Sequence, residues 1–104
     1  MHSSLQTMLD AAAQIRQSEE ITHRAFADSV GYAADQPEDW SVLAIVANRR
    51  LVVLEIDESV IELYRNMPNN NDNLPEVQLA LYVNTIIRGA FQDYREKVAE
   101  KLRP

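Results

Sequence analysis

The stretch that decides the fold is Trp40-Ser41-Val42-Leu43-Ala44-Ile45-Val46-Ala47-Asn48-Arg49-Arg50-Leu51-Val52-Val53-Leu54-Glu55-Ile56-Asp57. Aliphatic and β-branched residues dominate it, as in buried strands. The polar Asn48-Arg49 interrupts it at a point where asparagine tolerates the positive φ of a type I′ turn. It reads as a β-hairpin. With a two-residue turn, Ala47 pairs with Arg50, Ile45 with Val52, Leu43 with Leu54, and Ser41 with Ile56. One face then carries Leu43, Ile45, Val52, Leu54 and Ile56 and is expected to form the intramolecular core. The other carries Val42, Ala44, Val46, Leu51 and Val53. A half-solvated sheet would be polar there. An apolar second face in so small a domain implies either that helices wrap both sides or that a second subunit covers one; too few helices are available to cover both, so these five residues are the expected dimer interface.

Upstream, Ser3 and Ser4 are candidate N-caps. Leu5, Met8, Ala12 and Ile15 recur at spacings of three and four, and Glu19, Thr22 and Phe26 continue the register more weakly. A helix is expected from about Ser4 to about Ile21. Its narrow stripe resembles a coiled-coil seam, leaving open a partner helix or the chain's own sheet as what it meets. Phe26, Val30 and Tyr32 alternate and predict a short edge strand within Arg24–Tyr32, with Gly31 weakening it or marking a bulge. Ala33–Asp39 reads as an acidic loop.

Downstream, Asp57 or Ser59 can cap a short helix carrying Val60, Ile61 and Tyr64 and ending near Met67. Pro68-Asn69-Asn70-Asn71-Asp72-Asn73 reads as a loop. Pro75 suits a first helical turn, with Asn73 as candidate cap and Glu76 near the positive dipole end. A long helix is expected from about Pro75 to about Leu102, with the stripe Ala80, Val83, Ile87, Ala90, Phe91, Tyr94, Val98 and Leu102. The expected fold is α+β: an N-terminal helix, a three-stranded antiparallel sheet, a short helix and a long C-terminal helix, assembled as a dimer.

At 104 residues the chain has the length of one domain. Its 46% apolar and 25% charged content is ordinary for a folded protein. The absence of cysteine excludes disulfides and thiolate chemistry and is compatible with a reducing cytoplasm. The start lacks a basic segment followed by an apolar run, so no signal peptide is expected. No apolar run approaches the roughly 20 residues of a membrane span. The net charge of −6 makes a basic nucleic-acid binder unexpected from composition alone. Basic residues nevertheless gather late, where Arg88, Arg95, Lys97, Lys101 and Arg103 face only Asp93, Glu96 and Glu100.

The residues offer no catalytic constellation. His2 and His23 have no histidine at i+3 or i+4, so neither a metal nor a cofactor is expected. Asp57 and Glu58 sit where capping explains them better than acid–base work. Arg49 and Arg50 read either as a phosphate contact at a protruding turn or as an ordinary polar hairpin tip. Arg88, Arg95, Lys97, Lys101 and Arg103 read either as phosphate contacts or as a solvated helix face. Trp40, Tyr32, Tyr64 and Tyr82 form no stacking platform at any obvious spacing.

The hairpin from Leu43 to Asp57, with its valine-rich strands, short turn and final Leu54-Glu55-Ile56-Asp57, resembles that of the YbaB/EbfC family of small bacterial nucleoid-associated proteins. Ile86-Ile87-Arg88-Gly89-Ala90-Phe91-Gln92-Asp93-Tyr94 looks like that family's last helix, and the order of elements agrees over most of the chain. The resemblance implies an α+β homodimer whose sheets meet and whose helices project as arms. It also implies low-specificity binding of double-stranded DNA, in a cytoplasmic, nucleoid-associated and non-enzymatic role. The chain departs from the family in its acidic Gly31–Asp39 segment, in Glu58 where a proline is usual, and in the Asn69–Asn73 insertion. Related proteins encoded near type VII secretion systems look like accessory or chaperone-like protein partners, and the acidic balance fits that branch too.

Overall fold

The structure is a computed structural model that describes residues 2–68 and 74–104. The elements run α1 (His2–Ala27), β1 (Val30–Ala34), β2 (Val42–Ala47), β3 (Arg50–Ile56), α2 (Glu58–Arg65) and α3 (Pro75–Leu102). The three strands form one antiparallel sheet in the order β1-β2-β3. The class is therefore α+β, with the expected order of elements. No helix among the described residues is long and apolar enough to cross a membrane. The Asn69–Asn73 expectation lies outside the described residues.

The hairpin turns at Asn48-Arg49 with φ of 50° and 67°, the two positive values of a type I′ turn. Arginine is a poor residue in that conformation, and its neighbours compensate. The Arg49 N–H donates to the Tyr94 hydroxyl at 3.0 Å, and the guanidinium lies 4.3 Å from the centre of the Phe26 ring. Ala47 pairs with Arg50 as expected, but the register then slips. A β-bulge opposite Ile45/Val46 makes Val52 the extra residue on β3, so Ile45 pairs with Val53 and Leu43 with Glu55.

On β2 the two faces are exchanged relative to the expectation, whereas on β3 the bulge leaves Leu54 and Ile56 on the α3 side, as expected. Val42, Ala44 and Val46 are 0% exposed and lie beneath α3. They are core, not dimer interface. The reason is steric: α3 presents Gly89 and Ala90 and approaches β1 so closely that only small side chains fit between. A Cβ on Gly31 would lie 2.5 Å from the Ala90 carbonyl oxygen. The bulkier Leu43 and Ile45 take the opposite face, beside Val30, Tyr32, Ala47 and Val53, and among the described residues neither core cluster extends to it. The inference of two apolar faces stands; the helix covers the other one. Of the five expected interface residues, only Leu51 and Val53, on β3, remain open to a partner.

The core lies between α3 and the sheet. Ala25, Ala44, Val46, Ala90, Tyr94 and Val98 form one cluster, and Val42, Val60 and Val83 form a second beneath α2. The α3 stripe agrees with expectation at Val83, Ala90, Tyr94 and Val98, whereas Ala80 and Leu102 are exposed. Pro75 opens the helix and Glu76 lies in its first turn. Its N-cap is Leu74, which makes no side-chain cap bond, and α2 follows Asp57 in the same way.

The largest departure is in α1. It starts at His2, so Ser3 and Ser4 fall inside its first turn and not at its N-cap position. It continues to Ala27, absorbing Phe26, which had been expected in a strand. Tertiary packing explains this: Ala25 and Phe26 are held against Tyr94. The Ser29 hydroxyl then bonds the Ala25 carbonyl at 2.6 Å, and β1 begins only at Val30. From Ser4 to Ile21 every residue of α1 is exposed. This arm is about 27 Å long at 1.5 Å per residue, and the molecule measures 77 × 31 × 19 Å.

Tyr94 ties these parts together. It is 2% exposed, its hydroxyl donates to the Phe26 carbonyl, and it accepts from Arg49. Tyr94→Phe leaves both backbone groups without this partner and is expected to cost about 2 kcal/mol. Urea denaturation should show a lower midpoint with an unchanged slope.

Candidate functional site

The seven basic residues singled out in the sequence fall into two groups. Arg49, Lys97 and Lys101 are engaged within the chain. Arg49 is held over Phe26 in the hairpin turn. Lys97 Nζ lies 2.8 Å from Asp93 Oδ2, 3.0 Å from the Val30 carbonyl oxygen and 4.8 Å from the centre of the Tyr32 ring. Lys101 Nζ lies 2.6 Å from the Asp28 carbonyl oxygen. Lys97 thus meets the β1 edge of the sheet, and Lys101 the turn that leads into it.

Asp93 meets the same edge by accepting the Tyr32 N–H at 2.9 Å. Desolvation alone would raise the Asp93 pKa. The Lys97 ammonium and the Tyr32 N–H outweigh it and hold the carboxyl below the usual carboxylate range. A sheet edge is a row of unpaired backbone groups. On β1 the Tyr32 N–H and the Val30 carbonyl are met by side chains of α3.

Arg50, Arg88, Arg95 and Arg103 form the second group. All four are exposed and form no ion pair or side-chain hydrogen bond among the described residues. Arg88 and Arg95 are seven residues apart, so they share one face of α3, about 10 Å apart along its axis. That face points away from the sheet, since Ala90, Tyr94 and Val98 define the inner side. Arg103 follows the helix end, and Arg50 lies at the start of β3. The fold thus aligns Arg88 and Arg95 and does not gather all seven residues into one patch.

A further polar centre was not apparent in the sequence. Asp35 follows β1 and accepts the N–H groups of Gln36 at 3.1 Å, Ser41 at 2.8 Å and Val42 at 3.0 Å, and the Tyr82 hydroxyl at 2.7 Å. Burial pushes its pKa upward, but the bonds from Val42, Tyr82, Ser41 and Gln36 prevail and hold it at about 2. The hydrogen bond to Asp35, then burial and the Asp35 charge, push Tyr82 up to about 12. Oδ1 closes the β1–β2 connection through three backbone N–H groups and Oδ2 ties it to α3 through Tyr82, so this centre is structural. Its sequence signal was an Asp opening a turn-rich segment, the usual seat of an Asx turn.

Among the described residues no group of three or more His, Asp or Glu side chains could hold a metal ion. The surface hollows are open. One is lined by Ile61, Tyr64, Arg65, Pro75, Glu76 and Leu79 between α2 and α3, and another by Trp40 and Leu54–Asp57 beside β3. Neither brings a nucleophile together with a base.

Comparison with family models, curated proteins and solved structures finds no match to this chain.

Proposed function

We propose that this chain is a non-enzymatic homodimer of the YbaB/EbfC type that binds double-stranded DNA through backbone phosphates, with little sequence preference, in the nucleoid. The observation that carries the reading is the aligned, unpaired Arg88 and Arg95 on the outward face of α3, extended by Arg103. Guanidiniums that have no internal partner are free to exchange water and counterions for phosphate. The resemblance of the hairpin and last helix supplies the DNA itself. The open apolar edge of β3, with Leu51, Val52 and Leu54 exposed, supports the dimer, because a partner strand would take these side chains from water. With a net charge of −6, such binding is local and strongly salt-dependent.

A second reading is favoured by α1. Leu5, Met8, Leu9, Ile15 and Ile21 are all exposed along a helix that touches the rest of the chain only near its end. Most helical stability in proteins comes from packing of an apolar face, which this arm lacks within the chain, and an apolar helical stripe suits a protein partner. This is the accessory or chaperone-like role.

A gel-shift titration against salt separates the two. Wild type is expected to retard duplex DNA at low salt. Arg88→Ala/Arg95→Ala/Arg103→Ala is expected to lower the slope of log affinity against log salt by about 2 to 3. This variant leaves Lys97 and Lys101, which bond the carbonyls of Val30 and Asp28, in place. No retardation by wild type at low salt would remove the DNA reading and leave the protein-partner one.

A further inference from the structure

We infer that two copies of this chain join along β3, antiparallel and in a single register that sets Arg50 of each copy against Glu55 of the other. The inference rests on the homodimer proposed above and specifies the surface that forms it.

The two edges of the sheet are treated differently. Two outer backbone groups of β1, the Tyr32 N–H and the Val30 carbonyl, are met by Asp93 and Lys97 of α3. No side chain among the described residues bonds the backbone of β3, and Leu51, Val52 and Leu54 are exposed along it. A long apolar edge left open is a template for another strand.

The sequence of β3 is self-complementary in the antiparallel sense. With Val52 opposite Val53 of the second copy, Leu51 meets Leu54 and Arg50 meets Glu55. Each of these contacts occurs twice about the two-fold axis. The central apolar pairs are thus flanked by two opposite-charge pairs.

The bulge makes this register geometrically possible. A two-fold axis perpendicular to a sheet requires facing residues to lie on the same side of it. In a regular strand, residues three or five apart lie on opposite sides. The extra residue on β3 cancels that alternation. Leu51 pairs with Val46 and Leu54 with Ala44, so both lie on the α3 side. Arg50 pairs with Ala47 and Glu55 with Leu43, so both lie on the other side. A slip of one residue in either direction would set Arg50 against Leu54 or Ile56, which lie on the α3 side. The pairing also extends the uncovered face of Leu43, Ile45 and Val53 across the axis, and the two α1 arms remain outside it.

The test uses charge reversal and mass measurement by light scattering. Wild type is expected to be a dimer at tens of micromolar. Arg50→Glu alone and Glu55→Arg alone each replace attraction by repulsion at both ends. Each is expected to weaken association by about 10- to 100-fold. Mixed in equal amounts, the two variants restore both pairs and should form a heterodimer. Arg50→Glu/Glu55→Arg in one chain should restore the homodimer. Trp40, the sole tryptophan, lines the hollow beside Leu54–Asp57, so its emission should shift with assembly. If wild type is dimeric and the single reversals dimerise equally well, or their mixture fails to associate, the β3 register is overturned while the dimer stands. A monomeric wild type overturns both.

Discussion

A Gly31→Ala protein is expected to lose about 3 kcal/mol of stability, a large share of the roughly 5–15 kcal/mol that holds a domain of this kind. The cause is the close approach of α3 to β1. An added Cβ would lie 2.5 Å from the Ala90 carbonyl oxygen, 2.5 Å from the Tyr94 nitrogen and 2.6 Å from the Tyr94 Cα. All three are helix backbone atoms, so no side-chain rotation relieves the clash. The helix must lift, loosening Ala44, Val46, Ala90, Tyr94 and Val98 together. Gly31 does not have a positive φ, so the effect comes from space and not from backbone conformation. Gly89 faces the same contact from the helix side, where an added Cβ would lie 3.2 Å from the Ala33 methyl. There the tightness is offset by a helix-propensity gain of about 1 kcal/mol, and Gly89→Ala should be close to neutral. Denaturant unfolding of the two variants side by side measures the asymmetry.

Asp35→Ala is expected to cost about 2 to 3 kcal/mol, because three backbone N–H groups and a tyrosine hydroxyl lose a charged acceptor at once. The pH dependence identifies the carboxylate as the cause. The folded-state pKa of about 2 lies below the ordinary 3.8. Its contribution is therefore complete above about pH 4 and is lost as the pH falls towards 2. The shift corresponds to at most about 2 kcal/mol, reduced to about 1 by the solvent reaching a partly exposed group. Asp93, also lowered, adds in the same direction. Tyr82 is raised from 10.0 to about 12, so the same hydrogen bond is lost again as the pH rises through that range. Wild-type stability should fall at both extremes, and the Asp35→Ala profile should be flatter at each. Equal slopes in the two proteins would place the acid sensitivity elsewhere.

The hairpin and α3 were legible because their signals are local. A valine-rich run broken by Asn-Arg, and a proline followed by a long apolar stripe, specify their elements without help from the rest of the chain. The position of β1 was not legible. Phe26 alternates with Val30 and Tyr32 on paper, but contact with Tyr94, 68 residues away along the chain, keeps it helical. The choice of covered face was illegible for a related reason. It depends on how closely α3 approaches, which Gly31 and Gly89 set jointly across the sheet, and on a bulge that no residue in β3 announces. Among the basic residues, charge alone could not separate Lys97 and Lys101, which bond the carbonyls of Val30 and Asp28, from Arg88 and Arg95, which face water. Only Asp93, four residues before Lys97, hinted at an internal use.

The proposed DNA-binding homodimer and the proposed β3 pairing both need two copies of the chain. Sedimentation equilibrium of the wild-type protein at micromolar concentration tests this most directly. The predicted result is a mass of twice the 11.9 kDa of one chain. A single species at 11.9 kDa across that range would contradict it.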